Sequence, residues 1–258
     1  MKVVKQVVRV GNTGGVLVPR EWVHGQAEVK LLEKPLDIEG DILRLLKDHL
    51  PDVKGIYLVG SYARGEQTDR SDVDVLVVTG RTSRRIEKGK YEMILISEKQ
   101  LEGQLRTNAL PLLPMIKEAK PVLNAELLSK YRDTRLSQRN LKWYFETTSS
   151  ALDVVKAVIA LDQDCGDLVS DNTMYSLVLR LRGVFIVECL MQNKIWKTRA
   201  LLKLIKRLSG STEPYSAYLR SKDRAKVRRA IPVQTAQAFI EYIKQRLSVQ
   251  KKWAEARS

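Results

Sequence analysis

Two aspartates and a glycine–serine pair carry the chemistry that this sequence suggests. An apolar run, Ile56–Val59, leads into Gly60 and Ser61, and Asp72 and Asp74 open a second apolar run after ten intervening residues. Side chains at i and i+2 of a strand project from the same face, so the two carboxylates are expected to lie together. Such a pair repels itself unless a cation lies between, and hard oxygen ligands of this kind are typical of Mg²⁺.

The turn between the two apolar runs is suited to phosphate oxygens. Glycine and serine at the end of a strand allow a tight turn with exposed N–H groups. A phosphate cradle beside a carboxylate pair is what phosphoryl or nucleotidyl transfer needs, with two metal ions clamping the attacking and leaving oxygens. The alternative is an ordinary surface turn before an acidic strand start, which leaves two carboxylates at the head of an apolar strand unexplained.

This segment resembles the signature of the DNA polymerase β-like nucleotidyltransferase superfamily, closest to its small prokaryotic, minimal branch. The likeness is carried by Val59-Gly60-Ser61, Ala63-Arg64-Gly65 and Ser71-Asp72-Val73-Asp74-Val75. It implies an α/β (α+β) core that uses an NTP, ATP first, with two Mg²⁺ ions. Asp72 and Asp74 are then the catalytic metal ligands, and Gly60, Ser61, Arg64 and Ser71 are the nucleotide-binding residues. For Arg64 the alternative is that it pins the turn to a neighbouring acid.

The resemblance also implies a third carboxylate on a neighbouring strand, which binds the catalytic metal and helps to deprotonate the attacking hydroxyl. Glu92, near the start of the apolar run 90–96, is the candidate for this catalytic and metal-binding role. Glu87 and Glu98 are the alternatives, and Glu92 itself could be an ordinary edge-strand glutamate. Aspartate is the commoner residue at this position in the family.

Charge is distributed unequally along the chain. Of 45 Lys+Arg and 30 Asp+Glu, residues 1–130 hold 21 and 18, which leaves 24 and 12 for residues 131–258. The strongly basic second part predicts a polyanionic partner, nucleic acid first, although a solvated basic surface is the alternative. On a predicted helix over 198–208, four cations lie opposite the apolar stripe and are the predicted nucleic-acid contacts: Arg199, Lys203, Lys206 and Arg207.

Several protein classes are disfavoured. No run approaches the ~18 apolar residues of a membrane span, and residues 1–9 alternate like a strand rather than a signal peptide. The only cysteines, Cys165 and Cys189, suggest neither a disulfide framework nor a zinc cluster. We therefore expect a cytoplasmic protein without a membrane partner.

Three segments are expected: a β-hairpin module at 1–35, the catalytic core at 36–130 and a basic helical domain at 131–258. The first resembles the AbrB/MazE-type swapped hairpin, with strands at 7–10 and 27–33 around a Gly/Asn-rich turn and a Val-Pro pair. That resemblance implies a homodimer that often binds DNA. The alternative is a hairpin packed on the edge of the catalytic sheet.

Apolar spacing predicts the helices. In the core they cover 37–50, 98–106 and 111–119, with 81–90 as an exposed connection. The last segment is expected to be an all-α bundle, with helices over 136–161, 173–192, 198–208, 215–229 and 233–253. The bundle resembles a HEPN domain or the helical domain of aminoglycoside nucleotidyltransferases, but no histidine follows His49, which excludes the Arg–His motif of HEPN ribonucleases.

Together these features favour a Mg²⁺-dependent enzyme that transfers an NMP to an acceptor hydroxyl or phosphate and releases pyrophosphate. RNA, protein and small molecules are all acceptable acceptors. The alternative is a DNA-binding, toxin–antitoxin-type regulator whose transferase fold modifies or holds a protein partner.

Overall fold

The computed structural model describes residues 3–32, 36–69, 71–163 and 167–256. The chain divides into two compact units, residues 1–38 and 39–258. The predicted boundary between the core and the helical segment, at residue 130, has no counterpart in this division. The three-segment organisation stays a prediction.

The first unit contains a β-hairpin. Strand β1 (Val7–Val10) pairs antiparallel with β2 (Thr13–Val16), and Gly11 adopts a φ of 59° in the turn between them. Because a two-residue turn with a left-handed glycine reverses the chain at once, the partner strand forms much earlier than predicted. The expected strand at 27–33 is wrong for residues 27–32, which form no strand, and Glu33 lies outside the described residues.

A mixed sheet forms the centre of the second unit. Its strands are β3 (Val53–Val59), β4 (Val73–Thr79), β5 (Arg84–Lys88), β6 (Tyr91–Ser97) and β7 (Lys120–Leu123). Within the described residues their order is β5-β6-β4-β3-β7, with β4 and β6 parallel and the other neighbours antiparallel. The basic stretch 81–90, predicted as a connection, therefore contains a strand; its charged residues suit an exposed sheet edge.

Short helices flank this sheet. They are α1 (Ile38–Leu45), α2 (Gly60–Arg64), α3 (Glu98–Thr107), α4 (Leu113–Glu118) and α5 (Ala125–Arg132). Helix α1 ends earlier than the predicted residue 50, and a 3₁₀ turn at Leu50–Asp52 follows before β3. Helix α5 was not predicted; Asn124 caps it by accepting a hydrogen bond from the N–H of Leu127.

The last segment is mainly helical. Its elements are α6 (Gln138–Gln163), β8 (Leu168–Ser170), α7 (Asp171–Met191), α8 (Thr198–Ser209), α9 (Glu213–Lys222), β9 (Arg229–Pro232) and α10 (Val233–Glu255). The helical bundle is present as predicted, and one short antiparallel pair, β8 with β9, was not predicted. The predicted helix over 215–229 ends at Lys222. The buried Asp171 carboxylate accepts hydrogen bonds from the Arg220 side chain and the Arg228 N–H, which draws the following residues beside β8.

One hydrophobic core runs from the sheet into the helices. It includes Leu76 and Val78 of β4, Leu101 of α3 and Leu141 of α6. A hydrogen bond also joins the core and the helical region: the Asn140 side chain of α6 donates to the Leu105 carbonyl of α3 at 3.1 Å. The prediction of a mixed α/β core followed by a helical C-terminal region is confirmed in this form. In the part of the chain that the structure describes, no helix is long and apolar enough to cross a membrane.

Candidate active site

Gly60 sits directly against Asp74. It follows β3, begins α2 with a φ of 69°, and leaves room for the carboxylate that projects from β4. A Cβ added at Gly60 would lie 2.0 Å from the Asp74 Oδ2 atom and 2.8 Å from its Cγ. Glycine is therefore required here both for its conformation and for the close approach of the carboxylate.

Strand register places three acids in one row. Asp74 of β4 lies beside Glu92 of β6, and Glu92 lies beside Glu87 of β5, so all three side chains share one face of the sheet. Asp72 immediately precedes the first residue of β4 and is exposed. The structure thus brings the predicted third carboxylate, Glu92, next to Asp74.

Asp74 is the carboxylate of this group that is costly to ionise. Burial, and then the charges of Glu92 and Asp72, raise the pKa of Asp74 from 3.8 to about 6, against a lowering by Arg64. A cation placed among these carboxylates would favour the ionised form of Asp74. The oxygen-only set of Asp72, Asp74 and Glu92 therefore fits Mg²⁺ by donor type.

Arg85 holds Glu92 in the described structure. Its Nε atom lies 2.8 Å from the Glu87 Oε1 atom, and its Nη2 atom donates a short hydrogen bond to Glu92 Oε1. Among the residues that the structure describes, no group of three or more His, Cys, Asp or Glu side chains is arranged to hold a metal ion. Arg85 therefore engages one of the two carboxylate oxygens of Glu92 in this structure.

The two rival glutamates differ in position. Glu98 begins α3, beyond the opposite end of β6 from Glu92, and its carboxylate binds Lys54 and the Tyr131 hydroxyl. Glu98 therefore lies outside the acid row. Glu87 remains in the row, one strand further from Asp74 than Glu92 is.

A buried glutamate that the sequence reasoning missed lies behind the turn. Glu118 accepts hydrogen bonds from the Gly60 N–H and from the Arg64 Nη1 atom, each at 2.8 Å. Burial raises the pKa of Glu118, although Arg64 acts in the opposite direction. The sequence offered one signal, an acid close behind the apolar run 112–116.

Arg64 is committed to carboxylates. Its side chain is 8% exposed, and its Nε atom donates to Glu66 Oε2 at 2.9 Å while its Nη1 atom binds Glu118. Glu66 in turn accepts from the N–H and hydroxyl of Thr198, 132 residues away. These contacts match the alternative in which Arg64 pins the turn; its nucleotide-binding role stays a prediction.

The serines of the motif have separate positions. Ser61 is half-buried within α2, next to Gly60. The Ser71 hydroxyl accepts the N–H of Thr68 at 2.8 Å and so closes the loop that leads to Asp72. The Gly60 N–H donates to Glu118, which engages one of the two backbone donors expected to bind phosphate.

Helix α8 carries the predicted basic surface. The side chains of Leu201, Leu204 and Ile205 are buried. The four cations are all exposed: Arg199, Lys203, Lys206 and Arg207. The helix is therefore amphipathic as predicted, and its binding of nucleic acid stays a prediction.

Comparison with known proteins identifies the region that holds this site. Residues 40–132 match the family model described as a nucleotidyltransferase domain. Over 59 residues the chain is 37% identical to the protein adenylyltransferase MntA of Shewanella oneidensis. This match covers 23% of this chain and 42% of MntA. Over 40 residues it is 58% identical to a Methanocaldococcus jannaschii protein that carries the provisional name of a protein adenylyltransferase, covering 14% and 40%.

Among solved structures, the spectinomycin adenyltransferase of Enterococcus faecialis with ATP and spectinomycin is 16% identical, with a TM-score of 0.40. That match covers 81% of this chain and 97% of the other. The chain spans about two fifths of the length of the curated relatives that it matches. The turn, the acid row and Glu118 all fall within residues 40–132, the part of this chain that is similar to nucleotidyltransferase domains.

Proposed function

We propose that this protein is a Mg²⁺-dependent nucleotidyltransferase that moves AMP from ATP to an acceptor hydroxyl and releases pyrophosphate. One observation carries the proposal: within a matched nucleotidyltransferase domain, Asp74 and Glu92 are side by side on parallel strands, with Gly60 against Asp74. ATP is the proposed donor because the two curated relatives are named adenylyltransferases.

Each residue has a proposed task. Asp72 and Asp74 would hold Mg²⁺, with Glu92 as a further ligand once it leaves Arg85. When bound, the metal would neutralise charge on the triphosphate and polarise the phosphoryl group that is attacked. Glu92 would accept the proton of the acceptor hydroxyl. Gly60 and Ser61 would shape the turn that receives the phosphates, and Ser71 would fix the loop beside it.

A protein side-chain hydroxyl is the proposed acceptor. This choice rests on the names of the two relatives, both of which are described as protein adenylyltransferases. RNA and small molecules are the competing acceptors. The structure suggests only where the reaction would take place: the acceptor oxygen would have to reach the carboxylates of Asp74 and Glu92.

The test supplies labelled ATP and Mg²⁺ together with separate pools of cell protein, total RNA and small metabolites. We expect label to enter the protein pool with wild-type enzyme and not with Asp74→Asn. GTP, CTP and UTP in parallel reactions test the choice of base. Label in no pool, with no pyrophosphate released, would contradict the proposal, and label in RNA alone would change the acceptor.

A second proposal concerns assembly through residues 1–35. Several apolar side chains of residues 1–35 are exposed within the single chain, among them Val7 at 54% and Leu17 at 70%. We propose that a second copy covers them in a homodimer, which could present the hairpin to DNA. Light scattering should give a dimer for the full chain and a monomer after deletion of residues 1–34. A full-length monomer would instead favour a hairpin packed within one chain.

A nucleic-acid partner for α8 is proposed on charge alone.

If the alternative regulatory function holds instead, specific operator binding by residues 1–35 should survive Asp72→Ala. Specific operator binding by a wild-type protein that transfers no nucleotide to any acceptor pool would support the regulator and not the enzyme.

A further inference from the structure

The loop between α7 and α8, residues 192–197, contacts the segment that begins with the Gly60–Ser61 turn. Trp196 in this loop is 7% exposed, and the guanidinium carbon of Arg64 lies 4.2 Å from the centroid of its ring. Just after the loop, Thr198 donates from its N–H and its hydroxyl to Glu66 Oε2, at 3.2 and 3.1 Å. Two consecutive elements of the helical region therefore hold the short α2 segment that begins at Gly60.

Charge explains why Arg64 needs this contact. Arg182 of α7 also approaches Trp196, with its guanidinium carbon 4.7 Å from the ring centroid. Two like charges near one ring repel each other, whereas the electron-rich ring attracts both and the carboxylates of Glu66 and Glu118 bind Arg64. An arginine that is 8% exposed requires such partners, because burial of an unpaired charge is strongly unfavourable.

The contacts continue from Arg64 to the backbone of the turn. Arg64 binds one oxygen of Glu118, and the other oxygen of Glu118 accepts the Gly60 N–H. A displacement of Arg64 is therefore transmitted through one carboxylate to Gly60. The same loop is also joined to α4, where Lys117 donates to the side chain of Asn193 at 3.4 Å.

We propose that Trp196 and Thr198 are positioning residues for the Gly60–Ser61 turn. They fix Arg64 and Glu66, which in turn hold the turn in the conformation that receives the nucleotide phosphates. The inference rests on the proposed function for the identity of the bound group, but the positioning itself is a property of the protein alone.

Hydrogen exchange measured by mass spectrometry tests the positioning without nucleotide. In Trp196→Ala, amide exchange in residues 60–66 should accelerate about tenfold, the factor that corresponds to 1.4 kcal/mol. Trp196→Phe keeps an aromatic face and should remain within threefold of wild type. Trp143→Ala, at a site 56% exposed on α6, is the control and should leave residues 60–66 unchanged. Exchange in β4 and β6 should be unaltered in every variant, which separates a local effect from general unfolding.

Thr198→Val provides a second test in case Trp196→Ala does not fold. It keeps the shape of the side chain and removes only the hydroxyl donor to Glu66, so exchange in residues 60–66 should rise about fivefold. Wild-type exchange in residues 60–66 of both Thr198→Val and a folded Trp196→Ala would overturn the inference. So would equal acceleration in β4 and β6.

Steady-state kinetics supply the functional readout. Because the turn binds phosphate both in the ground state and in the transition state, Trp196→Ala should raise the KM for ATP about tenfold and leave kcat within threefold. A lower kcat with unchanged KM would contradict a positioning role at the phosphates. If wild-type protein neither binds ATP nor releases pyrophosphate, the proposed function fails, whereas the exchange measurements still decide whether Trp196 and Thr198 hold the turn.

Discussion

Replacement of Gly60 by alanine separates backbone strain from displacement of Asp74. Gly60 and Gly65 have almost the same φ, 69° and 68°, so each alanine variant should lose about 1–2 kcal/mol of stability from the left-handed conformation. They differ in surroundings: an added Cβ at Gly65 meets nothing within 4 Å, whereas at Gly60 it meets Asp74. Gly65→Ala is therefore a matched control.

The size of the displacement follows from the distances. The new Cβ would lie 2.0 Å from Asp74 Oδ2, and ordinary contact begins at 3.4 Å, so the carboxylate must move by about 1.4 Å. A misplacement of about 1 Å in a catalytic group costs roughly 100-fold in rate. We expect Gly60→Ala to lose about 100-fold in pyrophosphate release, and Gly65→Ala to stay within about threefold of wild type.

Urea denaturation and pyrophosphate release, measured on the same samples, check both expectations. The two variants should unfold with free energies within about 1 kcal/mol of each other, because the Asp74 carboxylate can rotate away from the new methyl group and the Asp74 Cβ atom, at 3.0 Å, needs to shift by only a few tenths of an ångström. Equal rates for Gly60→Ala and Gly65→Ala would refute the reasoning, since the collision with Asp74 would then have no catalytic effect.

Other predictions concern the acids and the basic helix. Asp74→Asn should abolish transfer. Because the pKa of Asp74 is raised to about 6 in the folded protein, the stability of the wild type should fall as the pH rises from about 4 to 6. Metal-free Asp74→Asn should therefore be more stable than the wild type at pH 7 and equally stable near pH 4. Equal urea midpoints at pH 7 would contradict this. Glu92→Gln should lower kcat by orders of magnitude and spare ATP binding measured by calorimetry, with Glu87→Gln active as the control; the reverse outcome would move the third carboxylate to β5. If α8 binds RNA or DNA, removal of three cations should lower the log–log salt slope by about two to three units, at about 0.7–0.9 per lost contact, and an unchanged slope would return the helix to a solvated surface. The three are Lys203, Lys206 and Arg207.

Local patterns predicted the parts of the site that lie close together in sequence or on adjacent strands. The apolar runs beside Gly60 and Asp74 indicated two strands, and the register of β4 with β6 brings Glu92 beside Asp74 as expected. Helix α8 was predicted to within one residue because its apolar and charged residues follow one strong helical period.

Long-range contacts account for what the sequence did not reveal. Thr198 binds Glu66 across 132 residues, and Glu118 reaches Gly60 across 58, and no periodicity encodes such pairings. Strand β5 was missed because its exposed, charged residues lack the apolar alternation of a buried strand. Strand β9 was missed because Asp171, far away in sequence, decides where the preceding helix gives way to extended chain.

The shared core between the sheet and the helices limits how this molecule can evolve. A domain with a core of its own can be exchanged between genes at a linker, but a break near residue 132 would divide the core that Leu101 and Leu105 share with Leu141. Any replacement for the helical region would have to restore that apolar surface. Changes in the helical region should therefore arise by point substitution rather than by recombination of whole domains.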